Sequence, residues 1–220
     1  MRLLVLSDIH ERINNVKKLL SITKTLNVNL VLIAGDLTYF KDVEYAKRVL
    51  DKIKDLIRAK ILFVPGNCDP EELINEYRDL NGDILNIHRS IYEYSGYVFY
   101  GIGGSGITPF NTIIEFDEEF FKNSLNAVSN IDQDKLIILT HQPIRGFFDE
   151  VKDEHTGSKA FMEFLVEKQP LLWITGHIHE YSGFTKYGKT TIVHPGPFMR
   201  GYYGIVEIHG NKVMVELSRV

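Results

Sequence analysis

The stretch Leu3-Leu4-Val5-Leu6-Ser7-Asp8-Ile9-His10 decides how the rest of the chain reads. Its first part is an apolar run without polar alternation, the pattern of a strand covered on both faces, as in a parallel sheet. Its end changes abruptly to residue types that bind divalent metals. Asp8 and His10 stand two positions apart, and in extended backbone such residues point to one side and can hold a cation between them. Four further runs repeat the transition. Leu30–Ala34 leads into Gly35-Asp36, residues 61–65 into Gly66-Asn67-Cys68-Asp69, Leu136–Thr140 into His141, and residues 171–175 into Gly176-His177-Ile178-His179. Ligands of open α/β sheets gather beyond the carboxyl ends of strands, so five such ends point to one shared pocket.

Between these runs the period changes from strand to helix. Ile13, Val16, Leu19, Leu20 and Leu26 recur on one helical face opposite Lys17, Lys18 and Lys24, and Val43, Ala46, Val49, Leu50, Ile53, Leu56 and Ile57 form a second such face. Pro70 followed by Glu71 and Glu72 suits the first turn of a short helix, where a missing N–H costs nothing and acidic charge complements the dipole. Strands are expected over 91–94 and 97–102 around a Ser95-Gly96 turn, and a helix near 117–129. Ser158 can cap a helix running to about Lys168. After His179 the chain reads as antiparallel β: 181–185, a Tyr187-Gly188 turn, 190–194, 202–209, a Gly210-Asn211 turn and 212–218. Two sheets face to face with helices outside would bury all of these faces, giving an α/β protein of one domain over 1–220.

The gross numbers narrow the function classes. A chain of 220 residues, 44% hydrophobic, can bury a large core, and a formal charge of −4 lacks the basic footprint that a nucleic-acid backbone requires. Cys68 is the sole cysteine, so no internal disulfide forms and a reducing, cytoplasmic setting is expected. The apolar run at the amino terminus is too short for a signal segment, and no run is long enough to span a bilayer. A homo-oligomer is left open.

Asp, Asn and Gly are also the usual turn formers, so each site residue taken singly has a second reading; histidine is not a preferred turn former. A carboxylate such as Asp36 can bridge two cations, and imidazole nitrogen with Asn or Asp oxygen suits Mn, Fe or Zn rather than Ca. The ordered blocks D-x-H, G-D, G-N-x-D, H and G-H-x-H resemble the signature of the calcineurin-like metallophosphoesterase family, from Met1 to about His209. The resemblance implies a four-layer α/β/β/α sandwich of two mixed sheets and a centre of two divalent ions, Mn foremost, with Fe, Zn, Ni or Co as alternatives. Carried over by position, Asp8, His10 and His179 with bridging Asp36 would hold one cation, and Asp36, Asn67, His141 and His177 the other.

The implied activity is hydrolysis of a small phosphodiester or activated phosphate ester, a bridging water acting as hydroxide on phosphorus. Asn67, Asp69 and His141 are the expected catalytic positions. Many relatives carry His after the metal-binding Asn as a proton donor, whereas this chain has Cys68 and resembles small bacterial and archaeal phosphodiesterases that read G-N-C-D. Cys68 is either a weak donor beside substrate or a small packed side chain. Asp69 either orients a metal-bound group or closes the turn. Arg12 and Arg145, on loops leaving metal-bearing strand ends, are candidates for gripping phosphate, or else ordinary surface arginines. Phe147 and Phe148 either stack on an aromatic group or anchor their loop. His194 either lines the site through its backbone or is structural, and His88, His155 and His209 read as core or surface. Gly103-Gly104-Ser105-Gly106 lacks the Lys and Ser/Thr of a P-loop and reads as a pocket wall or a plain turn. Two other activities share the fold: a non-catalytic interaction surface, as in a retromer subunit, where metal ligands are typically lost, and a nuclease, for which this chain lacks length and basic charge.

Overall fold

Neighbouring residues of the early strands serve different cores, which is why those strands carry no polar alternation. Leu3, Val5, Leu30, Leu32, Leu62 and Val64 meet Phe99, Ile137, Leu139, Leu172, Ile174 and Val193 in the middle of the protein. The intervening Leu4, Leu6, Val31, Ile33, Ile61 and Phe63 turn outward and pack on Val16, Leu19, Ala46, Val49, Leu50 and Ile53. On the far side Tyr100, Leu136, Ile138, Trp173 and Ile192 pack on Phe121, Leu125, Phe161 and Leu165. Three stacked cores of this kind require four layers, helix, sheet, sheet, helix.

The computed structural model describes residues 1–23, 27–75 and 81–220, with the backbone alone for 20–23. Lys24, Leu26 and the side chain of Leu20, expected on the first helix, lie outside the described residues. The elements are β1 (Arg2–Leu6), α1 (Ile13–Thr23), β2 (Leu30–Ala34), α2 (Val43–Ile57), β3 (Lys60–Val64), β4 (Ile84–Asn86), β5 (Ile91–Tyr94), β6 (Tyr97–Ile102), α3 (Glu118–Leu125), β7 (Leu136–Thr140), β8 (Glu150–Val151), β9 (Glu154–His155), α4 (Lys159–Lys168), β10 (Leu172–Ile174), β11 (Gly183–Tyr187), β12 (Thr190–His194), β13 (Tyr202–His209) and β14 (Lys212–Arg219). One sheet has the order β14-β13-β1-β2-β3-β4 and the other β11-β12-β10-β7-β6-β5. Both are mixed: β1, β2, β3 and β4 run parallel, as do β6, β7, β10 and β12, while β13, β14, β5 and β11 pair antiparallel. No helix among the described residues is long and apolar enough to cross a membrane.

Local chemistry sets the boundaries. Asp42 caps α2, its carboxylate accepting from Tyr45 N, and Ser158 caps α4 as the sequence suggested, accepting from Phe161 N. Glu118 of α3 adds to that cap by accepting from Lys159 N at 3.0 Å and Ala160 N at 2.8 Å, so one outer helix closes the exposed end of the next. Pro70 precedes a single 3-10 turn at Glu71–Ile74.

Several boundaries differ from the sequence reading, β11 among them, which runs over Gly183–Tyr187 rather than 181–185. The hairpin β11–β12 turns at Gly188-Lys189, because the pair Tyr187↔Thr190 closes a two-residue loop with Gly188 at φ +54°, whereas the sequence suggested Tyr187-Gly188. β4 escaped notice because it is three residues long and ends in Asn86, whose amide is used by the carbonyls of Leu73 and Asn75. The two-residue strands β8 and β9 escaped it too. They are held by Asp149, which accepts from His155 Nδ1 and Gly157 N, both at 2.9 Å, a tertiary contact with no periodicity to announce it.

Candidate metal centre

The parallel strands β1, β2, β3, β7 and β10 end at one rim of the sandwich, and the residues beyond their ends meet there. Asp36, after β2, lies between two groups. Its Oδ2 is 3.5 Å from His10 Nε2 and its Oδ1 is 3.5 Å from His141 Nε2. On one side, His10 Nε2 is 3.2 Å from His179 Nε2, and His179 Nε2 is 3.2 Å from Asp8 Oδ1. The candidate ligand atoms of Asp8, His10, Asp36 and His179 all lie within 4.8 Å of one another. On the other side, His141 Nε2 is 2.9 Å from Asn67 Oδ1, and the His141 and His177 rings approach edge to face with centroids 5.0 Å apart. The seven side chains expected to converge are therefore brought to one place.

Contacts behind these side chains fix which atoms face inward. His141 Nδ1 is 2.7 Å from Ala34 O and His10 Nδ1 is 3.3 Å from Thr38 O. A carbonyl only accepts, so Nδ1 carries the proton in each ring and Nε2 presents its lone pair to the interior. Those lone pairs face further acceptors: Asn67 Oδ1 and Asp36 Oδ1 for His141, Asp36 Oδ2 for His10. Acceptors converging on acceptors repel unless a proton or a cation lies among them. Asn67 is turned the same way, since its Nδ2 donates to Cys68 Sγ at 3.7 Å and leaves Oδ1 inward. Two carboxylates, four imidazoles and an amide oxygen form a donor set into which divalent transition-type cations fit.

The electrostatics agree. Burial alone would raise the Asp8 carboxyl, but the His179 hydrogen bond and the electrostatic influence of the surrounding imidazoles hold it well below the usual range. Burial pushes His177 down to about 3, keeping a neutral imidazole suited to ligation. For His179 burial also acts downward, yet the hydrogen bond and charge of Asp8, with the charge of Asp36, outweigh it and raise the ring.

Backbone geometry brings the donors together at some cost. Asp8, His10, Asp36 and His177 all have positive φ, at +52°, +42°, +53° and +77°. Successive N–H groups of Asp8, Ile9, His10 and Glu11 donate to the carbonyls of Gly35, Asp36, Asp36 and Leu37, which locks the first three conformations, while His177 N donates to Asp8 Oδ2 at 3.2 Å. Two glycines are obligatory for steric reasons. A Cβ on Gly66 would lie 2.1 Å from Asp36 Oδ1, and one on Gly176 would lie 2.7 Å from Ala34 O.

The remaining candidates separate. Asp69 is fully buried and its carboxylate accepts from Leu37 N, Thr38 N, Thr38 Oγ1 and Gly66 N at 2.8–3.2 Å, so it ties the Asp36 loop to the Asn67 turn. Burial and the Asp36 charge push it up to about 7, against the pull of those backbone N–H groups. Cys68 is buried, its N–H donates to Asp36 Oδ1 at 2.9 Å, and burial together with Asp36 raises its thiol far above the ordinary range. Arg12 is exposed beside His10 and His179 at one cleft. Arg145 instead donates from Nη1 to His155 O at 2.8 Å, toward the β8–β9 hairpin. Phe147 and Phe148 anchor their loop, packing against the outer core and against Tyr187 and Tyr181. His194 is structural: fully buried and lowered to about 4 by burial, its Nε2 donates to Gly176 O at 2.9 Å and its Nδ1 accepts from Gly196 N. Gly104 N donates to Pro65 O and Gly106 N to Gln142 Oε1, so the glycine-rich stretch is a turn laid against the neighbours of Asn67 and His141.

Two residues near the cluster were not singled out in the sequence. Arg200 donates to His179 O at 3.0 Å from a loop whose position only the packing sets. Tyr39 stacks edge-on against His10, with centroids 5.4 Å apart. It lies three residues beyond Asp36, so the criterion that selected Arg12 and Arg145 applies to it equally.

Comparisons with known proteins point the same way. The family model for calcineurin-like phosphoesterases matches residues 1–181. "Uncharacterized protein MJ1162" of Methanocaldococcus jannaschii is 35% identical over 178 residues, 77% of this chain and 78% of the relative. A "Probable cyclic nucleotide phosphodiesterase" of Vesicomyosocius okutanii is 25% identical over 195 residues, 82% of this chain and 75% of its own. Among solved structures, the protein TT1561 of Thermus thermophilus superposes with a TM-score of 0.75 at 15% identity, covering 98% of this chain and 97% of that one, a likeness of fold alone.

Proposed function

We propose, for a chain that belongs to the calcineurin-like phosphoesterase family, metal-dependent hydrolysis of a small phosphodiester at the cluster centred on Asp36. The observation that carries this reading is the division of the Asp36 carboxylate, one oxygen toward His10 and the other toward His141, each imidazole with its lone pair locked inward. Asp8, His10, Asp36 and His179 would hold one cation, and Asp36, Asn67, His141 and His177 a second. Bound cations supply electrophilic charge for phosphoryl oxygens and a nucleophilic water at neutral pH. Mn is the first choice for such a donor set, with Fe, Zn, Ni or Co as alternatives.

The chain's own groups set the rest. Ala34 O and Thr38 O fix the tautomers of His141 and His10. Asp69 positions the Asp36 and Asn67 loops without reaching the reacting atoms, and His194 does the same for the His177 loop. Arg12, exposed in the cleft beside His10 and His179, would take a phosphoryl oxygen. Cys68, its thiol raised by burial and by Asp36, is a poorer proton donor to a leaving group than the imidazole many relatives carry at that position. Weak proton donation favours substrates whose leaving alcohol is acidic, such as aryl or nucleoside phosphates. The name of the Vesicomyosocius relative supports a diester.

Purified protein is expected to hydrolyse bis-p-nitrophenyl phosphate only with Mn or a similar cation. Asp36→Ala and His141→Ala each remove several kcal/mol of transition-state stabilisation, a loss on the order of a thousandfold in rate. Absence of turnover with every divalent cation tried would refute the reading.

A further inference from the structure

Tyr39 leaves 58% of its surface exposed beside the buried cluster, yet it is held in place. Its ring is propped by His10 and by Phe40, the latter with centroids 4.8 Å away. Its N–H donates to Glu11 Oε1 at 3.1 Å, and Phe40 N donates to Cys68 O at 3.1 Å, fixing the loop to two metal-bearing segments. With His10, Arg12, His179 and Met199 it lines an open cleft of about 640 Å³, within the range of roughly 300–1,000 Å³ typical of small-molecule sites. Among the described residues, the Arg12 guanidinium has no carboxylate partner. Glu11, the acid lining the same cleft, is turned toward Tyr39 N. A propped aromatic face, an unpaired guanidinium and two imidazoles of the cluster thus share one opening.

Resting on the hydrolase reading above, we propose that this cleft is a specificity subsite for a flat aromatic group, aryl or nucleobase, carried on the phosphate ester. The aromatic group stacks on Tyr39 while Arg12 takes a phosphoryl oxygen. Ring stacking adds affinity that an aliphatic group of the same charge does not gain. Phe147 and Phe148 do not line this cleft; they are half-buried against the outer core and against Tyr187 and Tyr181. Tyr39 is thus a specificity-determining residue, and the preference it creates is for aromatic over alkyl phosphate esters.

The test compares phenylphosphonate with methylphosphonate, whose C–P bonds resist hydrolysis, in calorimetric titrations of the Mn-loaded protein. Phenylphosphonate is expected to bind roughly three- to tenfold more tightly. That gap should vanish in Tyr39→Ala, persist in Tyr39→Phe, and survive Arg12→Gln while both ligands weaken alike. Equal affinities in the native protein, binding by neither ligand, or a gap unchanged in Tyr39→Ala overturns the inference. Bis-p-nitrophenyl phosphate assayed in parallel separates the two readings. Turnover without an affinity gap removes the subsite and leaves the hydrolase; a Tyr39-dependent gap without turnover removes the hydrolase and leaves the subsite.

Discussion

Asp36 shows how much of the site is set one residue at a time. It adopts a left-handed backbone conformation, as Asp8, His10 and His177 do, and each such non-glycine residue costs about 1–2 kcal/mol. The cost is offset by backbone hydrogen bonds between residues 8–11 and 35–37 and by the Asp69 carboxylate beneath them. In Asp69→Asn an NH2 group would face N–H donors where an oxygen now accepts. This should lower unfolding free energy by about 3 kcal/mol in urea titrations, and the metal content of the purified variant should fall. An unchanged midpoint would mean that Asp69 is dispensable to the loop. The identities of Asp8, His10, Asp36, Asn67, His141, His177 and His179 were legible because their residue types recur after apolar runs. Their φ angles were not, because a left-handed Asp is selected by contacts with a distant loop and leaves no mark in its neighbours.

At the scale of elements, the clearest strands in the sequence were those buried on both faces, and the poorly legible ones were short or held by single side chains. His88 illustrates how a connection between elements can control stability. It follows β4, its Nδ1 accepts from Gly103 N at 2.9 Å, and its ring stacks near Phe116 and Phe120. Burial, with the Arg89 charge, lowers it from 6.5 to about 4. The unfolded chain therefore takes up this proton first, so the stabilising contribution is complete above pH 6.5 and is lost as pH falls to about 4. The loss amounts to about 3 kcal/mol. His88→Gln keeps an acceptor for Gly103 N and cannot titrate, so its unfolding free energy should fall less steeply than the native protein's across that window. Parallel pH curves for the two proteins would contradict this assignment. The β8–β9 hairpin and the Gly188-Lys189 turn resisted reading for a related reason: Asp149 and the pairing register decide them, not local propensity.

For the whole molecule, the two sheets act as one frame for the candidate metal centre, with Asp8, Asp36 and Asn67 following strands of one sheet and His141, His177 and His179 following strands of the other. Cations bound across that junction would tie the sheets together and stabilise the folded state by linkage, about 4 kcal/mol at a thousandfold excess over Kd. For a chain of this size that corresponds to a fall in Tm of about 10 °C when chelator strips the ions, reversed by added Mn. A Tm insensitive to chelator would argue against cations at this junction.

The sequence by itself determined the five apolar runs that carry the donors, the chemical types of those donors and the layered α/β class, because apolar runs and the residues that interrupt them are local facts. Only the tertiary structure decided which oxygen of Asp36 faces which imidazole, that Asp69 and His194 hydrogen-bond the loops carrying Asp36, Asn67 and His177, and that Tyr39 lines the cleft while Phe147 and Phe148 pack against the outer core. Those outcomes depend on two sheets meeting at a particular separation and register, and distances between residues far apart in the chain are properties of packing, not of composition or period.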